Sequence, residues 1–196
     1  MTAALGPHEP PPPPRLTGDE PFIGLDATVR DFWAYAVRDL RSNTTRGFLA
    51  EWLVLRAVGA TEHQPDWHSF DVLTPSGLRV EVKSSAYLQS WPQKVHSTIR
   101  FGGLSAEDWS DEAARPGTRT FNSDVYVFCL QTATRHDDYD PLDVDQWTFF
   151  VLSRMAVEGQ GRRSLGLSTL DRLTDRLTYA ELAAAIEAAG AAGASG

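Results

Sequence analysis

The sequence predicts an α/β fold in which a mixed β-sheet is flanked by helices. Three observations lead there. Two helix-period segments come first, strands follow in succession, and helical patterning returns at the end. "DVYVFCLQT" and "WTFFVLS" are near-continuous apolar runs, as central strands covered on both faces are. Between the first helices and those runs, "FDVLTPSGLRVEVKSS" reads as two short strands joined by a Pro75-Ser76-Gly77 turn.

Taken in order, "LDATVRDFWAYAVRDL" carries Val29, Phe32, Trp33, Ala36, Val37 and Leu40 at helical spacing, with Asp26 as N-cap. "SNTTRGFLAEWLVLRAVGA" restarts on cap-type residues and runs as a second helix to about Val58, where Gly59 stops it. "SFDVLT" and "LRVEVKSS" form the hairpin, and "HSTIRFGGL" reads as a third strand. "GLSAEDWSDEAARPGTRTFNS" is a long loop, and the acidic loop "RHDDYDPLDVDQ" separates the two central strands. "STLDRLTDRLTYAELAAAIEAA" closes the fold with helices, the last capped at Thr178 with Glu181 three residues on. The expected organisation is a disordered proline-rich arm over 1–20, a single domain over 21–188 and a flexible tail over 189–196.

At 196 residues, 42% of them hydrophobic, the chain suffices for one well-filled core. The single cysteine, Cys129, excludes an intramolecular disulfide framework and a Cys-rich zinc site. No apolar run approaches a membrane span, and the first residues lack the pattern of a signal peptide, so a cytoplasmic protein is expected. The net charge of -8 argues against tight non-specific DNA binding, where phosphate neutralisation supplies much of the affinity. It leaves room for a selective enzyme, because basic residues gather at Arg38, Arg41 and Arg46 and again at Arg79, Lys83, Lys94 and Arg100. No glycine-rich phosphate cradle or G-x-S-x-G turn is present, and neither P-loop nor serine-hydrolase chemistry has a starting point. The acidic loop lacks the glycine and distal glutamate of a calcium-binding loop. No organic cofactor is expected.

The chemistry lies in the hairpin. Alternation puts Glu81 and Lys83 on one face and Val80 and Val82 on the other. With the valines in the core, the charged pair is expected to line a polar surface or cleft, and the hairpin returns Asp71 beside Glu81. Two carboxylates at a sheet rim suit a hard cation such as Mg²⁺, which takes oxygen ligands and keeps several waters. Lys83 would then hold its ammonium against the scissile phosphate or the attacking water. Glu51 stands among Phe48, Leu49, Ala50, Trp52, Leu53 and Val54, where a buried carboxylate needs a partner or a cation. Arg46 is placed to meet a phosphate, and Ser84, Ser85 and Gln89 to contact phosphate or support the metal shell. Trp67, Tyr87 and Trp91 are candidates for base stacking. Lys83 is one of only two lysines, so chance produces an E-x-K triplet less readily here than in a lysine-rich chain.

These residues resemble the core of the PD-(D/E)XK nuclease superfamily, the restriction-endonuclease-like fold. Asp71 matches its first acidic position, Glu81 its second and Lys83 its lysine. Glu51, in "RGFLAEWLVLRAVGA", matches the additional glutamate of the preceding helix. With "VEVKSSAYLQSW", "DVYVFCL" and "PLDVDQWTFFVLS", the chain resembles a bacterial group of that fold whose members are mostly uncharacterised. Phe70 stands where the superfamily's name has a proline. The resemblance implies Mg²⁺-dependent hydrolysis of DNA phosphodiesters, with Mn²⁺ able to substitute, in restriction or defence against foreign DNA. Asp71, Glu81 and the Val82 carbonyl would ligate the metal, Glu51 would complete its shell, and a homodimer could cut both strands. The superfamily also includes inactive members, so the alternative is a nuclease-fold module that binds DNA or a protein. A plainer alternative is a salt-bridged surface hairpin.

Overall fold

The computed structural model describes residues 14–62, 69–107 and 119–194. They divide into two units, one ending at Arg38 and the other starting at Asp39. Most of the proline-rich arm and part of the loop between the third strand and Asn122 lie outside the described residues.

The first unit contains helix α1 (Val29–Ala36). Its N-cap is Thr28 rather than Asp26, because Asp31 reaches back to take the Thr28 backbone N–H at 2.7 Å. It ends at Ala36, short of the expected Leu40, and none of its residues is buried.

The second unit opens with α2 (Asn43–Ala57), capped by Ser42 and stopped by Gly59 in the left-handed region at φ +70°. Then come β1 (Val72–Leu73), β2 (Arg79–Ala86), β3 (Arg100–Gly102), β4 (Ala106–Glu107), β5 (Arg119–Thr120) and β6 (Val125–Gln131). A 3-10 turn (Val144–Gln146) leads into β7 (Trp147–Ser153), followed by α3 (Arg154–Glu158), β8 (Ser164–Gly166), α4 (Leu167–Leu173) and α5 (Tyr179–Ala194).

The main sheet has the order β1-β2-β6-β7, with β2 and β6 parallel and the outer pairs antiparallel. This is the expected mixed sheet flanked by helices. The expected third strand forms within its segment, as β3. β3 does not extend the hairpin but pairs with β8 in a separate ribbon, Phe101 opposite Leu165. β8 is only three residues long, too short to carry a readable alternation.

Two apolar clusters cover the two faces of the main sheet. Val80, Val82, Val127 and Phe149 pack with Ala50, Leu53 and Val54 of α2 and with Leu182 and Ile186 of α5. On the opposite face Tyr126, Phe128, Phe150 and Leu152 pack with Phe101, Leu165, Val157 and Leu170. Phe128, Phe149 and Phe150 are fully buried, and each such side chain contributes about 1.5–3 kcal/mol by leaving water. β6 is buried at every residue, which is why it reads as an unbroken apolar run. The Thr178–Glu181 capping box forms, with the Thr178 N–H donating to the Glu181 carboxylate at 2.8 Å. α5 then continues to Ala194, through residues whose small side chains read as a tail. Among the described residues no helix is long and apolar enough to cross a membrane.

Candidate functional site

The hairpin brings Asp71 to Glu81 by a specific departure from regular pairing. Val72 opposes Val80, and the Asp71 N–H still donates to the Val80 carbonyl at 3.0 Å. One step further along β2, the side chain takes over from the backbone: Asp71 Oδ2 accepts the Val82 N–H at 2.7 Å. Asp71 therefore marks where β1 leaves the sheet, and its carboxylate satisfies an edge donor that would otherwise face the gap.

Glu81 and Lys83 project from the other face than Val80 and Val82, as alternation requires, opposite Tyr126 and Phe128 of β6. Of the two expected settings, an open polar surface or a cleft, it is a cleft that Glu81 lines. The second apolar cluster covers most of that face, and the pair sits at its margin with side chains 16% and 25% exposed. The Lys83 ammonium is ion-paired to Glu81 Oε1, and the Ser123 hydroxyl donates to Glu81 Oε2 at 3.3 Å. Burial pushes the Glu81 carboxyl above its ordinary value; the Lys83 charge opposes this and the Asp71 charge adds to it. The electrostatic coupling and the shared lining of one cleft, about 120 Å³, place the two carboxylates together. Its wall also includes Asn122, Gly103 and Tyr126. Gly103 adopts φ +67°, and a Cβ there would stand 3.8 Å from Lys83 Cε, so the backbone after β3 passes over the lysine stem.

Glu51 approaches from the helical side. It is half-buried, not enclosed, because its neighbours Phe48 and Trp52 are themselves 53% and 55% exposed. With Asp71 it lines a second and larger cleft of about 490 Å³. The two carboxylates also act together on the fully buried Cys129 thiol, which burial and then their charges push well above its ordinary range. Asp71 thus belongs to both clefts, with Glu81 on one side and Glu51 on the other.

The remaining candidates lie elsewhere. Arg46 is 3% exposed and lines neither cleft; its guanidinium donates to the Arg41 carbonyl at 2.9 Å and to Asn43 Oδ1 at 2.5 Å. Its burial follows from its position one turn into α2, on the side shared with Ala50 and Leu53. Gln89 is also buried, and its amide donates to the Ala86 carbonyl at 3.1 Å and to Ser97 at 3.0 Å, bracing the chain after β2. Ser84 sits opposite Cys129 and Ser85 opposite Leu130, in the strand body rather than at the cleft. Tyr87 packs beside His96 at 6.1 Å, and Trp91 is half exposed away from both clefts. Trp67 lies outside the described residues. Arg79 is committed to Asp124, which it meets at 2.7 Å.

Ser123 and Gly103 escaped the sequence reading. The polar triplet "NSD" before an unbroken apolar strand is the one local signal for Ser123, since a fully buried hydroxyl at a strand entrance needs a partner. Nothing local marks Gly103.

No curated protein matches the chain. The model of the bacteriophage T4 endonuclease IV family matches residues 34–167, which is more than half of the sequence and spans Glu51, Asp71, Glu81 and Lys83. The chain belongs to the bacteriophage T4 endonuclease IV family.

Proposed function

We propose that the protein is a divalent-metal-dependent endonuclease that hydrolyses DNA phosphodiester bonds at the Asp71–Glu81 cleft, with Lys83 paired to Glu81 beside it, and that this hairpin is a PD-(D/E)XK motif. One observation carries the reading. In a chain of an endonuclease family, Asp71 and Glu81 share one small cleft, and the Glu81 carboxylate is bonded to Lys83.

The donor set suits Mg²⁺. It consists of oxygens, and Asp71 has Oδ1 left over once Oδ2 has taken the Val82 N–H. In a strand the N–H and C=O of one residue project to the same side, so the Val82 carbonyl faces the edge that Asp71 occupies. Among the described residues no group of three or more acidic, His or Cys side chains forms a ready-made cage. Mg²⁺ uses one or two carboxylates and keeps waters for the rest of its shell. When bound, the cation would offset charge on the phosphate and favour ionisation of water.

The chain's own groups have separate tasks. Asp71 and Glu81 supply negative charge in a partly dry cleft, where two carboxylates repel one another unless a cation is shared. Lys83 neutralises Glu81 in the resting protein. With Glu81 engaged by the metal, its ammonium would turn to a non-bridging phosphate oxygen or to the attacking water. In hydrolysis the water oxygen bonds to phosphorus and one P–O ester bond breaks, leaving a phosphate monoester and a hydroxyl. Lys83 would stabilise the charge that develops on the equatorial oxygens. Glu51, reaching Asp71 from the other cleft, would orient water or complete the shell.

The test is cleavage of plasmid and oligonucleotide DNA by wild type and Lys83→Ala, in Mg²⁺, Mn²⁺ or EDTA. Internal cleavage that needs the metal and is lost in the variant supports the reading. Cleavage in EDTA, or undiminished cleavage by Lys83→Ala, contradicts it.

A further inference from the structure

We infer that the apolar cleft on α2 is a nucleobase subsite in which Phe48 and Trp52 stack on a base of the strand whose phosphate lies at Asp71. The inference rests on the nuclease reading of the Asp71–Glu81 cleft and adds to it the residues that grip the substrate.

Phe48, Trp52 and Arg56 are spaced four residues apart along α2, so their side chains form one ridge. All three line the 490 Å³ cleft, and Leu55 and Val72 add apolar lining to it. The volume falls in the range of small-molecule sites. Single exposed hydrophobics are ordinary; here two large aromatics, 53% and 55% exposed, stand one turn apart on the same cleft. The sheet-facing side of α2 has its apolar residues in Ala50, Leu53 and Val54, so the fold does not need Phe48 or Trp52 for its core.

Continuity selects the occupant. Asp71 lines this cleft and the Glu81 cleft alike, so a ligand seated here abuts the position proposed for the scissile phosphate. A nucleic-acid strand has that layout, a flat apolar base beside an anionic backbone. Aromatic faces hold bases by stacking, and Arg56 at the end of the ridge offers a cation to a neighbouring phosphate or a guanidinium face to the base. The base must be turned out of its stack to enter.

The test is binding of a labelled oligonucleotide with Ca²⁺ in place of Mg²⁺, so that affinity is read whether or not the strand is cut. Wild type, Phe48→Ala, Trp52→Ala and Trp52→Phe are compared on an intact strand and on strands carrying one abasic residue at each position in turn. Expected is a rise in Kd of roughly tenfold to a hundredfold for Trp52→Ala, restored by Trp52→Phe. At one position the abasic strand should bind wild type as weakly as the intact strand binds Trp52→Ala, with no further loss when the two are combined. Unchanged affinity in both alanine variants overturns the inference, as does an undiminished loss on every abasic strand. A wild-type dimer that Trp52→Ala dissociates would also overturn it, by assigning the cleft to a second copy. Failure of the nuclease reading is separate: a protein that never cleaves, yet loses base-dependent affinity in Trp52→Ala, keeps the subsite and loses the catalysis.

Discussion

The carboxylate of Asp71 accepts the backbone N–H of Val82 at 2.7 Å, at the point where β1 leaves the sheet. One oxygen is thereby tied to the fold while the other is left for the proposed cation, so the structural role and the proposed catalytic one can be separated by substitution. Asp71→Asn keeps an oxygen for the Val82 N–H but loses the charge. It is expected to fold with a thermal midpoint near that of wild type and to lose at least a hundredfold in metal-dependent cleavage. Asp71→Ala should lose the same activity and also about 1–3 kcal/mol of stability, because the edge donor is left without its partner. Denaturant unfolding and initial cleavage rates, measured on both variants, check this.

Glu81 makes the site sensitive to acid. Burial raises its folded-state carboxyl above the ordinary value of 4.5. A group raised in this way favours the folded state fully below its unfolded value, and that contribution is lost as pH rises through the folded value. The metal-free protein should therefore gain stability from Glu81→Gln at neutral pH and lose that advantage on acidification toward 4. Conversely, in the proposed metal site Mn²⁺ competes with a proton on Glu81, so wild-type affinity should begin to fall at a pH above that of an ordinary glutamate. Thermal midpoints and Mn²⁺ titrations across pH 4 to 8 are the check.

Lys83 holds Glu81 down against the effect of burial. Lys83→Met, which keeps the apolar stem under Gly103, should move the acid limb of Mn²⁺ binding to higher pH. It should also cut cleavage by at least a hundredfold while leaving DNA affinity within a few-fold. A cleavage defect without the shift in the acid limb would mean that the Lys83–Glu81 ion pair does not govern the carboxyl.

Ser123 is fully buried and donates to Glu81 Oε2 at 3.3 Å. Ser123→Ala should cost about 1 kcal/mol of stability and raise the Glu81 carboxyl slightly, with only a few-fold loss of cleavage. Arg46→Ala should behave in the opposite way. It removes a buried side chain with two hydrogen bonds that lines neither cleft, so about 2–4 kcal/mol of stability is expected to go while Mn²⁺ affinity stays unchanged.

The residues legible in the sequence are those whose placement is local. The Pro75-Ser76-Gly77 turn fixes Asp71 against the strand that carries Glu81 and Lys83, and strand alternation fixes which face each occupies. Long-range packing decided the rest. Alternation could not say what covers the Glu81 face, because that cover comes from β3, β8, α3 and α4. Arg46 and Gln89 are polar types at buried positions; their partners, Asn43, Arg41, Ala86 and Ser97, are near in sequence, but their burial depends on the surrounding fold. Glu51 reads as buried because apolar residues flank it. In a helix, flanking residues point in other directions, and two of them, Phe48 and Trp52, point to solvent.

In the proposed site Asp71 and Glu81 share one divalent cation. Crystals of wild type and of Asp71→Asn soaked in millimolar Mn²⁺ test it directly, through the anomalous signal of the metal and without knowledge of the substrate sequence. A peak is expected between the two carboxylates in wild type, with Lys83 released from Glu81, and no peak in the variant. Wild-type crystals with no peak there and Lys83 still bonded to Glu81 would contradict it.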